Sequence, residues 1–252
     1  MKLTVVGMSG SYPGPRSPAS CYLVEQEYAA GTFRLLLDLG NGALGPLQDH
    51  LDLAAIDAVL LSHLHADHCI DMCGLYVERK YYTSGPTPRV PVFGPAGTSE
   101  RLARAYDLSA DPGMTNEFDF RTFPEGPFPL GPFRVTARRV VHPVPAYAVR
   151  LEAEGRALTY SGDSGACDAL VEIARGADLL LCEASFVEGA SNPPGLHLTG
   201  REAAEHATRA EVGRLVLTHI PPVVDAEQVL GDAKPAYAGP VEVAACGATY
   251  TV

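Results

Sequence analysis

Three imidazoles and a carboxylate fall within six residues in His63-Leu64-His65-Ala66-Asp67-His68, which follows the apolar run Ala58-Val59-Leu60-Leu61 and Ser62. Neutral imidazole nitrogen and carboxylate oxygen are the donors that Zn²⁺ and similar divalent ions accept. In the turn after a strand, His63 and His65 can point into one pocket while Asp67 and His68 swing round to a second position close by. The spacing therefore fits two neighbouring cations. Further along, single polar residues recur after apolar strand patterns: His142, Asp163 and His219. Strand ends are where α/β folds collect their sites.

The elements that must position these residues follow from hydropathy patterning and from turn residues. Lys2–Gly7 reads as a strand running into a Gly/Pro/Ser loop, Met8 to Pro18, that serves better as a wall of the cleft than as a phosphate cradle. Cys21–Glu27 and Phe33–Leu39 read as a hairpin with its turn near Ala30-Gly31. Asp38, in Asp-Leu-Gly-Asn-Gly, is either a turn aspartate or support for a histidine or for the loop. Helices are expected over Ala43–Leu53, Ile70–Tyr82 (stopped by the run Thr83 to Pro88) and Thr98–Leu108, the last begun by a Thr or Ser cap. Asp57–Ser62, Val90–Phe93, Phe118–Phe123 and Phe133–Val141 read as strands. Tyr147–Ala153 and Ala157–Tyr160 form a second hairpin around Glu154-Gly155-Arg156. Strands and helices alternate in both halves of the chain, as in a four-layer α/β sandwich.

The chain has 252 residues with no linker-like shift in composition, so one domain over residues 1–252 is expected. A net charge of −11 gives no broad basic surface for a long nucleic acid, while a small anion held by cations is allowed. No run approaches the roughly 20 apolar residues of a membrane span, and the opening is too short for a signal peptide, so a cytoplasmic protein is expected. The six cysteines form no Cys-x-x-Cys pair and read as free thiols, several of them buried. Cys69 and Cys73 have the spacing of one helix face beside the histidine motif and receive no metal role.

His-x-His-x-Asp-His after an apolar strand resembles the metallo-β-lactamase superfamily, whose fold is an αββα sandwich with a dinuclear site at one edge. The resemblance implies that His63, His65 and His142 hold one metal, that Asp67, His68 and His219 hold the other, and that Asp163 bridges them. Two divalent ions are implied, Zn²⁺ first and Mn²⁺ as the alternative.

Leu181-Cys182-Glu183-Ala184-Ser185-Phe186 and His197-Leu198-Thr199 resemble motifs of the ribonuclease Z group. There a Glu orients a His that stabilises or protonates the leaving oxygen, a pair that Glu183 and His197 would form. Cys182 departs from the His of that group. Thr199 also opens a capping box with Glu202, placing His197 just before a helix. The longer run, including Ser-Pro-Ala-Ser-Cys-Tyr, Tyr-Ser-Gly-Asp and His-Ile-Pro-Pro, is similar to actinobacterial members of the fold described as atypical cyclic-nucleotide phosphodiesterases. The expected activity is hydrolysis of cyclic mononucleotides or other small phosphodiesters by a metal-activated hydroxide that Asp67 helps to orient. The alternatives are tRNA 3′ processing, hydrolysis of a lactone, thioester or sulfate ester, or a non-catalytic metal-stabilised scaffold. Between His142 and Asp163 the chain has room for a hairpin and none for the tRNA-gripping arm of ribonuclease Z. A small phosphodiester is the expected partner, with no long nucleic acid and no membrane, and a homodimer is allowed.

Overall fold

Leu35, Leu36 and Leu37 are all fully buried, yet they belong to two different cores: Leu35 and Leu37 face one, Leu36 the other. Successive side chains of a strand point to opposite faces, so an unbroken apolar run specifies a strand covered on both sides. The computed structural model describes residues 1–29, 31–82 and 88–252. Part of the turn expected near Ala30-Gly31 and residues 83–87 of the expected helix stop lie outside the described residues.

The strands form two seven-stranded sheets among the described residues. The first contains β1 (Lys2–Gly7), β2 (Cys21–Tyr28), β3 (Gly31–Leu37), β4 (Ala58–Leu60), β5 (Val90–Gly94), β6 (Phe118–Thr122) and β14 (Thr249–Thr251), in the order β14-β1-β2-β3-β4-β5-β6. The second contains β7 (Phe128–Leu130), β8 (Phe133–Arg139), β9 (Tyr147–Ala153), β10 (Arg156–Tyr160), β11 (Leu179–Glu183), β12 (Leu215–Thr218) and β13 (Val241–Val243), in the order β13-β12-β11-β10-β9-β8-β7. Leu37, Leu60, Val149, Leu158 and Leu181 meet in the core between the sheets. Helices α1 (Leu44–Leu47), α2 (Ala66–Cys69), α3 (Met72–Tyr81) and α4 (Thr98–Ala105) accompany the first sheet, whose outer core joins Leu36 and Val59 to Leu47, Met72, Leu75 and Leu102. Helices α5 (Asp168–Ala174), α6 (Gly200–Arg209) and α7 (Ala226–Ala233) cover the second through Leu170, Ala203, Ala207 and Val229. The result is the expected αββα sandwich. Among the described residues, no helix is long and apolar enough to cross a membrane.

Strand direction decides where polar residues gather. β3 to β6 run parallel, as do β10 to β13, while β8, β9 and β10 alternate. The C-terminal ends of β3, β4, β8, β10, β11 and β12 thus deliver Asp38, the histidine motif, His142, Asp163, Glu183 and His219.

All three expected helices are shorter than the pattern suggested, and Ile70–Tyr82 gives α3 only from Met72 to Tyr81, with Ile70 closing α2. Ala43–Leu53 gives only α1, after which Gln48, Asp49 and His50 bond three residues back and Asp52 opens a separate 3₁₀ turn by accepting from Ala54 N at 3.0 Å. Helix α4 ends at Ala105, and its cap is Gly97, with φ of 87°. Thr98 hydroxyl donates to Pro95 O at 2.7 Å instead of capping the helix. Cys69 ends α2 and Cys73 lies in α3, so the two do not share one continuous helix. All six cysteines are free: Cys21, Cys69 and Cys182 are buried, and Cys246 is exposed. Burial pushes the Cys69 thiol up to about 12, as befits an inert packing residue.

The loop after β3 lies directly on the histidine motif, and a Cβ on Gly40 would come within 1.9 Å of the Asp67 carbonyl oxygen. Gly40→Ala is therefore expected to destabilise the protein by about 1–3 kcal/mol, the usual cost of overpacking. Gly45→Ala, which meets open space in α1, should be neutral or stabilising by up to about 1 kcal/mol. Urea denaturation of both variants in chelator checks the contrast, and equal midpoints would refute the close-approach argument.

Candidate metal centre

Five imidazoles and two acidic side chains converge at the strand ends in two overlapping groups. His63, His65, His142 and Asp163 form one, and Asp67, His68, Asp163 and His219 the other; within each group the ligating atoms lie within 4.8 Å of one another. Asp163 belongs to both. The structure thus brings together all seven residues that the sequence singled out for metals, in the division that the resemblance implied. Of the three remaining histidines, His197 joins Glu183 and His219 in a third group, while His50 and His206 belong to none of them. His206 is locked in α6, donating from Nδ1 to Glu202 O at 2.7 Å and accepting from Cys167 N at 3.1 Å.

The nitrogens that face each other are too many to be explained as hydrogen bonds. His63 Nε2 lies 3.0 Å from His65 Nδ1, His65 Nδ1 lies 3.3 Å from His142 Nε2, and His68 Nε2 lies 3.1 Å from His219 Nε2. Donor atoms about 2.1 Å from one cation at tetrahedral angles stand about 3.4 Å apart. Four of the five rings also hold their other nitrogen against an acceptor, which leaves the inward nitrogen with its lone pair. His68 Nδ1 donates to Asp38 Oδ2 at 2.7 Å, His142 Nδ1 to Leu196 O at 3.0 Å and His219 Nδ1 to Ser185 Oγ at 2.8 Å. Ser62 Oγ gives its proton to Asp38 Oδ2 at 2.7 Å and so accepts from His63 Nδ1 at 3.1 Å.

Charge supports the same reading. Burial holds His63, His65 and His142 below the usual imidazole range, so they stand neutral at pH 7. Burial also opposes ionisation of Asp67 and Asp163, but the histidines around them, His219 foremost, keep both carboxyls well below their ordinary range. Despite its burial, His68 is pulled upward by Asp163 and Asp38. Asp163 Oδ1 is buried without a hydrogen-bond partner among the described residues, although His68 and His219 Nε2 stand 3.1 and 3.4 Å away. Neutral imidazoles, ionised carboxylates and an orphaned carboxylate oxygen between them suit divalent cations, which would satisfy that oxygen and displace the proton from His68.

Glu183 and His197 form a separate unit on the rim. His197 Nδ1 donates to Glu183 Oε1 at 2.8 Å, and Ser164 N donates to the same oxygen at 2.8 Å. Ser185 N and Leu198 N donate to Oε2 at 3.3 Å each. The His197 ring packs 5.6 Å from His142 and 5.5 Å from His219, with the edge of Phe186 at 5.1 Å. Burial works against charge on His197, but the hydrogen bond and charge of Glu183 raise it above the ordinary imidazole range. The expected capping box is present, with Thr199 Oγ1 accepting from Glu202 N at 3.2 Å and Glu202 Oε2 accepting from Thr199 N at 2.8 Å.

Asp38 does more than the sequence foretold. Besides His68 and the Ser62 hydroxyl it accepts from Ser62 N at 2.6 Å and from the Tyr160 hydroxyl at 2.7 Å, with its own φ at 59°. The Gly/Pro loop backs His219 (φ 55°) and is less a cleft wall than a support. Gly10 N donates to Ile220 O at 3.2 Å, and a Cβ on Gly10 would stand 2.2 Å from His219 O. Ser62, Ser185 and the Leu196 carbonyl, which orient three of the rings, escaped the sequence reading. The adjacency of Ser62 to His63 was the one available signal.

Residues 34–220 match a family profile described as "Beta-lactamase superfamily domain". The uncharacterized protein ML1173 of Mycobacterium leprae (strain TN) is 46% identical over 257 residues, spanning 100% of this chain and 89% of the relative. Ribonuclease Z of Mycobacterium bovis (strain BCG / Pasteur 1173P2) is 28% identical over 272 residues, spanning 96% of this chain and 95% of its own length. The probable metallo-hydrolase YhfI of Bacillus subtilis (strain 168) is 28% identical over 249 residues, 98% of each chain. The crystal structure of YhfI superposes with a TM-score of 0.87 at 26% identity, covering 99% of this chain and 98% of the other. Profile, relatives and superposition agree with the cluster at the strand ends: this chain belongs to the beta-lactamase superfamily, with the αββα sandwich of the metallo-hydrolase fold.

Proposed function

We propose that this protein is a dinuclear-metal phosphodiesterase acting on small phosphodiesters, cyclic mononucleotides foremost. The observation that carries this reading is the Glu183–His197 pair, a buried carboxylate holding a partly buried imidazole at 2.8 Å beside the His/Asp cluster. His63, His65 and His142 would hold one ion and Asp67, His68 and His219 the other, with Asp163 shared. The nitrogen-rich donor set suits Zn²⁺, while the oxygens of Asp67 and Asp163 admit Mn²⁺. Bound there, divalent ions acidify water and offset negative charge on phosphoryl oxygens. Asp67 orients the attacking oxygen. With Nδ1 committed to Glu183, His197 has Nε2 free to carry the proton that a poor leaving oxygen needs.

Similarity to ribonuclease Z supports phosphodiester chemistry, since RNA is a chain of phosphodiesters. Two features favour a small substrate over tRNA. The net charge is −11, whereas binding long nucleic acid draws on clustered Lys and Arg. The segment between His142 and Asp163 is a hairpin in which Glu154 and Gly155 alone join β9 to β10.

Protein purified without chelator is expected to carry about two equivalents of divalent metal, as a two-metal site requires. Asp163→Ala should lower that content and abolish turnover of bis(p-nitrophenyl) phosphate while the circular dichroism spectrum is retained. Full activity in this variant would refute the ligand assignment.

His197→Ala should lower kcat by roughly 10² to 10⁴-fold for a cyclic nucleotide, whose ribose oxygen leaves poorly, and far less for p-nitrophenyl esters. Equal losses on both substrates would remove His197 from the role of proton donor. Side-by-side assay of cyclic AMP, cyclic GMP and a 3′-extended tRNA decides the substrate class, and tRNA trimming without cyclic-nucleotide turnover would overturn the reading.

A further inference from the structure

A cavity of about 380 Å³ opens directly beside His65. Leu64, Pro95, Val144 and Pro145 wall it, with His65 and Arg101 as its polar members. It draws on three separate loops: the histidine motif, the β5–α4 connection with the first turns of α4, and the segment after His142. Its size falls within the roughly 300–1,000 Å³ of small-molecule sites, which pair apolar walls with a few placed polar groups.

Arg101 is the one cation lining this cavity; its backbone N donates to Gly97 O at 2.9 Å, while among the described residues its guanidinium makes no hydrogen bond or ion pair and acts by charge alone on the Cys69 and Cys73 thiols. In a chain of net charge −11, a half-buried guanidinium without a partner beside a cluster of metal-ligand type is a recognition group in waiting. The walls carry proline and aliphatic faces, suited to the flat faces of a ring. Only the guanidinium presents several donors, in a fork that matches adjacent acceptors at a ring edge.

We propose that this cavity is the base subsite: it holds the nucleobase of the substrate, with the ring between the apolar walls and Arg101 donating to acceptors on the base edge. The proposal rests on the phosphodiesterase reading for the position of the phosphate near His65, and it adds what that reading leaves open, namely which part of the protein selects a nucleotide over any other ester.

The test measures binding, which needs no turnover. Metal-loaded wild type, Arg101→Gln and Ala96→Trp are titrated by calorimetry with AMP, GMP and ribose 5-phosphate, the last carrying the phosphate and sugar without a base. Ala96 is exposed at the cavity lip, so a Trp there fills the space without disturbing the core. Wild type should bind the nucleotides more tightly than ribose 5-phosphate. Arg101→Gln should weaken GMP binding by about 10- to 100-fold, as loss of a hydrogen bond to a charged group does, should weaken AMP less because adenine sets a donor beside its N7 acceptor, and should change ribose 5-phosphate binding by less than about 2-fold. Ala96→Trp should erase the preference for nucleotides. Equal wild-type affinity for all three ligands, or no binding of nucleotide, would overturn the proposal. So would a loss in Arg101→Gln that is the same with and without a base, which would place the guanidinium on the phosphate. Hydrolysis of cyclic nucleotides, followed separately in the wild type, tests the phosphodiesterase reading: turnover with unselective binding sinks the base subsite alone, and selective binding without turnover sinks the activity alone.

Discussion

A fully buried carboxylate must find donors or lose its charge, and Asp38 finds four. The donors come from Ser62 N, the Ser62 hydroxyl, His68 Nδ1 and the Tyr160 hydroxyl, all within 2.7 Å. Burying an ion without such partners costs several kcal/mol, so these four positions are mutually dependent. They span the end of β3, the turn after β4, the second turn of the histidine motif and the end of β10 in the opposite sheet. One side chain thus fixes the rotation of His68, the seat of Ser62 under His63, and the approach of the two sheets at the edge where the histidines collect. Tyr22, whose hydroxyl hydrogen-bonds to that of Thr218 at 2.7 Å and whose ring lies 5.1 Å from Tyr160, adds a second link across the same interface.

Much of this was legible in the sequence because strand periodicity and motif spacing are local. An apolar run followed by a histidine or aspartate marks a strand end without knowledge of the partner strand, and so His142, Asp163 and His219 stood out. Glu183 and His197 were legible through resemblance alone, since the two lie fourteen positions apart with no periodic signal that would pair them. What escaped were contacts whose partners are remote and chemically ordinary. Tyr160 lies 122 positions from Asp38, and Ser185 lies 34 from His219. A serine or tyrosine in an apolar run looks like packing until the tertiary structure aims its hydroxyl. Helix ends were misjudged for a related reason. Apolar spacing from Ala43 to Leu53 suits a helix, but the backbone tightens to bonds three residues back from Gln48 to His50, and Asp52 then opens a separate turn through its side chain.

The electrostatics have the same logic at larger scale. A protein with eleven net negative charges gathers histidines and carboxylates at one sheet edge, where their mutual shifts leave three neutral imidazoles beside two ionised carboxylates. Such a cluster is costly on its own and favourable around cations, so ion binding and folding share one free energy. Asp38 and His219 sit in the left-handed region of backbone space, where an ordinary residue costs roughly 1–2 kcal/mol. Glycine would relieve that strain and remove the side chain that the site requires. Close packing by Gly40 and Gly10 on the neighbouring backbones is what holds the geometry in place.

The hairpin between β9 and β10 turns through Glu154 and Gly155, at φ of 51° and 74°. Because Tyr160, at the far end of β10, reaches Asp38, this turn stands at the edge of the sandwich opposite the histidines. The molecule is therefore polarised: one rim is committed to chemistry, while the other is bounded by solvent and short connections. Loops on a rigid scaffold vary independently of one another. A fluorescent label, an affinity tag or a tether to a solid support grafted at Glu154-Gly155 would leave the reactive rim facing outward, so that immobilised protein would present its histidine cluster in a uniform orientation.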